Sequence, residues 1–167
     1  MNYEIVELTE LSGKKAVVYS ILKEGDQLTL FDHFIKEHIE KYNDEIKFII
    51  SRLHTIGHIT GARQQYFKFN EGKPGDGVCA IYDEPDKELR LYCIRYGSCA
   101  ILLGGGGPKP TGTKAWQDNE KLAKEAKVII KISKDIIQRI TDREIYWSAN
   151  GAQLLGNLNF CDYEQEV

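Results

Sequence analysis

Residues 88–109 read ELRLYCIRYGSCAILLGGGGPK, and the fold turns on how this stretch is divided. In ELRLYCIRY the side chains alternate as on a strand. Arg90, Tyr92, Ile94 and Tyr96 fall on one side, and Leu89, Leu91, Cys93 and Arg95 on the other. Tyr96-Gly97-Ser98 supplies a turn, and CAILLGG a second strand. The run GGGGPKPTGTK is too rich in Gly and Pro for a regular element and reads as a long connector to the next helix. That helix is expected to take the Leu/Cys side of the strand, which would leave Arg90 and Tyr92 on an open face. There a guanidinium can fork onto phosphate and a phenol can stack on a base or pass a proton.

Upstream, YFKFN (66–70) and GVCAIYD (77–83) have strand character and are separated by Gly72-Lys-Pro-Gly75, so residues 66 to about 105 read as an antiparallel meander. Before them, Thr29-Leu-Phe-Asp32 has the form of a capping box, and Phe31, Phe34, Ile35, His38, Ile39 and Tyr42 recur at helical spacing. A second helix capped by Asn43 would bury Ile46, Ile49, Ile50 and Leu53 and stop at Gly57. At the start, YEIVEL (3–8) and AVVYSIL (16–22) suggest a hairpin turning at Ser12-Gly13-Lys14. Beyond the connector, Leu122, Ala126, Ile129, Ile132, Ile136 and Ile140 mark a helix from about 116 to 140, and the tail ends in an acidic stub. The expected fold class is α+β. It comprises a small antiparallel sheet with two N-terminal helices and one C-terminal helix packed on it, an N-terminal hairpin and a C-terminal extension, in one domain over 1–167.

Composition narrows the function classes. With 42% hydrophobic and 28% charged residues the chain is an ordinary globular sequence, and no apolar run reaches the roughly 18 residues of a membrane span. The first ten residues alternate apolar and acidic side chains, unlike a signal peptide, which points to a cytoplasmic, reducing location. Cys79, Cys93, Cys99 and Cys161 form no C-x-x-C pair and are expected to be free and mostly buried. A net charge of −3 is unlike a typical nucleic-acid binder, yet residues 109–143 carry nine Lys/Arg against five Asp/Glu, a local basic surplus.

Two motifs invite a sharper reading and fail on detail. Gly107 to Lys114 (GPKPTGTK) places threonine where a phosphate-binding loop needs lysine, and Pro108 and Pro110 remove two backbone donors. His54 and His58 stand four apart but without the acid of a helical zinc motif, and Gly57 is expected to end the helix between them. No cofactor or metal is expected.

The order of parts, and the wording of GHITGARQQYFKFNEGKPGDGVCAIYD followed by ELRLYCIRYGSCAILLGGGGPK, resembles the HigB-like, phage-derived branch of the RelE/ParE toxin superfamily. The resemblance runs from about Gln27 to Lys131. It implies the toxin of a type II toxin–antitoxin pair, with a helix-turn-helix antitoxin as partner, and metal-independent mRNA cleavage on or off the ribosome. Arg90 matches the family's central-strand arginine and Lys109 the basic residue after the last strand. Tyr92 is the candidate proton carrier, and Lys68, Lys73 and Lys114 lie near positions that would hold RNA backbone. Where active relatives place lysines before the central arginine this chain has the apolar GVCAI, and no Tyr or His follows Lys109 closely. The alternative is therefore a non-enzymatic protein-binding module.

Overall fold

The computed structural model describes residues 1–69, 77–81, 87–109 and 115–161. Its elements run β1 (Tyr3–Glu7), β2 (Val17–Lys23), α1 (Leu30–His38), α2 (Asn43–Thr55), β3 (Phe67–Lys68), β4 (Val78–Ile81), β5 (Leu89–Tyr96), β6 (Ala100–Pro108), α3 (Ala115–Thr141), β7 (Ile145–Trp147) and β8 (Leu154–Gly156). Six strands form one mixed sheet in the order β1-β2-β6-β5-β4-β3, and β7 and β8 form a separate antiparallel pair. A small antiparallel sheet carrying two N-terminal helices is thus the wrong architecture. The strands of the N-terminal pair belong to the main sheet, and β2 runs parallel to β6, from Val17↔Ala100 to Ser20↔Leu103. This pairing joins segments about eighty residues apart, so no local turn announces it.

Both faces of the sheet are covered. On one side Ile129, Ile132 and Ile136 of α3 pack against Val17, Tyr19, Ala80, Tyr92, Ile94 and Leu102. On the other, Phe31 and Phe34 of α1 and Ile46, Ile49 and Leu53 of α2 pack against Val18, Cys79, Leu91, Cys93, Ile101 and Leu103. Strand alternation was read correctly from the sequence, but α1 and α2 take the Leu/Cys side and α3 takes the Tyr92 side. Cys79 and Cys93 face each other across β4 and β5 with their sulfurs 3.5 Å apart, both fully buried, while Cys99 and Cys161 are half-buried.

The glycine run is not a connector. β6 continues through all four glycines, each of them buried. Between Leu91↔Gly106 and Cys93↔Leu103 the register slips by one, so Gly104 and Gly105 stand together opposite Tyr92 as a bulge. Without side chains here, α3 lies close on the strand. A Cβ on Gly104 would stand 3.1 Å from Ile129, one on Gly105 2.5 Å from the Glu125 carboxylate, and one on Gly107 3.0 Å from Lys121. These three α3 residues recur every four positions, the ridge of one helix face.

The remaining elements follow local rules. Thr29 caps α1, its hydroxyl accepting from the Asp32 N–H at 3.1 Å while the Asp32 carboxylate accepts from the Thr29 N–H at 3.0 Å. Tyr42 rather than Asn43 is the α2 cap residue, and Ile50 is exposed rather than buried. The helix passes Gly57 into a π-helical turn, Ile56–Thr60, and stops at Gly61, whose φ of 77° suits glycine alone. The tail packs back, Phe160 stacking on Tyr3 with centroids 4.7 Å apart.

Gly106 tests this packing most sharply, because a Cβ there would run into the carbonyl oxygen of Arg90 on the paired strand. Gly106→Ala should lower the unfolding free energy by about 1–3 kcal/mol or prevent folding. Chemical denaturation of the purified variant checks this.

Candidate functional site

The end of the sheet where β5 begins and β6 ends gathers the basic side chains singled out in the sequence. Arg90 pairs with Gly107, and the Lys109 N–H continues the ladder, donating to the Glu88 carbonyl at 2.6 Å. Cross-strand partners share a face, so Arg90 and Lys109 are diagonal neighbours on the α3 side, roughly 7–8 Å apart at their Cα atoms. Lys68 pairs with Ala80, which pairs with Tyr92, so Lys68 is on that same face two strands away, about 10 Å across. Lys68 is exposed, and Arg90 and Lys109 are half-buried. Glu88 stands directly opposite Lys109 and tempers the positive charge. Lys73 and Lys114 lie outside the described residues.

Tyr92 does not belong to an open face. It is 3% exposed and sits in the core beneath α3, because the helix that follows the glycine strand crosses β6 and β5 on this side. A phenol so enclosed cannot exchange a proton with a bound polynucleotide.

A second set of groups, which the sequence analysis missed, stands beside this corner. β2 and β6 part after Ser20↔Leu103. β2 leads to α1 on one face of the sheet and β6 leads to α3 on the other, so the two helices flank the point where these parallel strands part. Ser20 fixes the top of the split, its hydroxyl donating to the Leu103 carbonyl at 2.8 Å and accepting from the Phe31 N–H at 3.3 Å. Further along, Lys121 from α3 donates to Glu37 of α1 at 2.7 Å, so the two helix layers are linked past the free edge of the glycine strand.

Two groups beside this split have shifted titration. Burial raises the Glu125 carboxyl above the usual range and Glu37 adds to the effect, against the lowering influence of Lys121, Lys23 and Lys124. Burial also lowers the His38 imidazole below its ordinary value, with Lys121 acting the same way, and Glu37 and the Gly106 backbone opposing it. The Nε2 of His38 has no hydrogen-bond partner among the described residues, since the Glu37 carboxylate is 3.6 Å away. This burial was legible only as an apolar-face position on α1, and the partners only became neighbours through the parallel pairing.

His54 and His58 do share a helix face, their rings stacked at 4.3 Å, since Gly57 does not end the helix. Stacked rings do not converge on a common ion. Among the described residues no group of three or more His, Cys, Asp or Glu could hold a metal, and no helix is long and apolar enough to cross a membrane.

In comparisons with known proteins, no family model, curated protein or solved structure matches this chain. The functional reading therefore rests on the site itself.

The contribution of His38 to pH dependence has a fixed sign, opposite to that of the raised Glu125 carboxyl. A histidine held neutral by burial stabilises the fold fully above its unfolded-state value, and that stability is lost as pH falls below it and through the folded-state value. Relative to His38→Gln, in which Glu125 still titrates, the wild type should lose unfolding free energy as pH falls below about 7. Equal slopes in denaturation series of the two proteins would count against a buried neutral His38.

Proposed function

We propose that the protein is the toxin of a type II toxin–antitoxin pair and cleaves messenger RNA without a metal ion, at the corner carrying Arg90 and Lys109. The observation that carries this reading is their diagonal placement on one sheet face, with Lys68 on the same face. Two cations so spaced can hold successive non-bridging oxygens of a phosphodiester. In the reaction the 2′-hydroxyl releases its proton to solvent water as its oxygen attacks the adjacent phosphorus, a new O–P bond forms, and the bond to the 5′-oxygen breaks, that oxygen taking up a proton, to leave a cyclic phosphate and a 5′-hydroxyl. Negative charge builds on the phosphoryl oxygens as this happens, and Arg90 and Lys109 stabilise it.

Proton transfer needs a different group from Tyr92. Glu125 fits that role chemically, because a carboxyl raised by burial keeps its proton closer to neutral pH and can deliver it to the departing 5′-oxygen. It lies over Gly105, two residues along β6 from the Gly107 that pairs with Arg90. A helix-turn-helix antitoxin is the expected partner.

A non-enzymatic protein-binding module is the second reading. The burial of Tyr92 and the acidic Glu88 opposite Lys109 favour it.

Arg90→Ala separates the two. Loss of one charge-stabilising group of this kind typically costs about 10²–10³ in rate, or 2.7–4 kcal/mol. Expression of the wild type should arrest growth and cleave RNA, while Arg90→Ala relieves the arrest with a thermal melt close to wild type. Wild-type protein that neither slows growth nor cleaves RNA, alone or with ribosomes, contradicts the toxin reading.

A further inference from the structure

The outward face of α3 has no role in the corner described above. Leu122, Ile129, Ile132 and Ile136 point into the core, so the opposite face of the helix presents Lys124, Lys127, Lys131 and Lys134, all exposed. These four span about 15 Å along the axis. Lys131 reaches Asp135 at 3.1 Å. Among the described residues Lys124, Lys127 and Lys134 form no ion pair. Self-repulsion between neighbouring lysines at three- and four-residue spacing destabilises a helix slightly, and nothing in the core requires them.

Beside this stripe is an open groove of about 430 Å³, lined by Lys124, Lys127 and Lys131 together with Met1, Ala123 and Val128. Glu120 stands at one end. The floor is therefore aliphatic and the rim cationic. No aromatic side chain among the described residues lines it, and these offer nucleic-acid bases no stacking platform. Met1 is 48% exposed, an uncovered apolar side chain at the groove.

We propose that this groove docks an acidic protein segment in which carboxylates alternate with aliphatic side chains, the carboxylates meeting Lys124, Lys127 and Lys131 and the aliphatic groups covering Met1, Ala123 and Val128. The charge pattern selects an acidic partner, and the aliphatic floor selects a peptide over a polynucleotide. The site is separate from the Arg90 corner and does not depend on RNA cleavage there.

The test uses the full chain and two labelled peptides of equal negative charge, one alternating Glu and Leu and one alternating Glu and Ser, with oligo-uridine as the third probe. Fluorescence anisotropy should show the Glu/Leu peptide binding at least about ten-fold more tightly than the Glu/Ser peptide. The double variant Lys124→Gln/Lys127→Gln should weaken Glu/Leu binding by a similar factor with an unchanged thermal melt, and Arg90→Ala should leave it unaltered. Three results would overturn the proposal. They are equal binding of the two peptides, Glu/Leu binding indifferent to the double variant, and oligo-uridine displacing the Glu/Leu peptide from wild type but not from the double variant.

Discussion

Everything in this molecule is arranged around a strand that has no side chains where it is most crowded. β6 is central in the sheet, pairs parallel with β2 for only four residues, and then runs on as four glycines with a helix against each face. α3 rests its Ile129, Glu125 and Lys121 ridge directly on those glycines. α1 enters at the point where β2 departs, tied there by Ser20. Side chains on β6 would push α3 away, and with it the isoleucines that seal the Tyr92 face of the sheet. Truncating one such buried isoleucine to alanine typically costs about 2–5 kcal/mol, which indicates how much rests on that approach.

The same constraint shapes the chemistry where β2 and β6 part. Glu125 is desolvated because it is pressed over Gly105, and His38 is desolvated because α1 leans on the free edge of β6. The Lys121–Glu37 ion pair closes the gap between the helix layers. Around it the overall charge of −3 is unevenly spread, with the cations concentrated on α3 and at the β5–β6 corner. A polyanion approaching this protein would be steered to that side, and the steering would weaken as salt rises.

Local pattern made much of this legible. The capping box at Thr29, the apolar spacing of α3 and the alternation of β5 all depend on residues within a few positions of one another, and each is found where its pattern lies. What the sequence did not disclose is non-local. The β2–β6 pairing has no turn to mark it, and it converts a meander with a separate hairpin into one mixed sheet with two covered faces. Gly104 to Gly107 misled for a related reason. A glycine run signals a loop when judged by conformational freedom, yet here its value is steric, and the helix that needs the space begins well after the run ends. Once both faces are covered, Tyr92 becomes core, and Glu125 and His38 become neighbours of a basic corner that no motif had joined to them. Arg90 and Lys109 come onto one face through the β5–β6 register alone.

Under the proposed toxin function, RNA would meet the sheet corner rather than the lysine face of α3. The most direct test of this is a titration of the isotopically labelled, RNA-free protein with a short non-cleavable 2′-deoxy analogue, following backbone amide shifts. The account predicts that the largest changes fall at Lys68, Arg90 and Lys109 and in the neighbouring ends of β5 and β6. Changes confined to Lys124, Lys127, Lys131 and Lys134, with the corner unmoved, would contradict it.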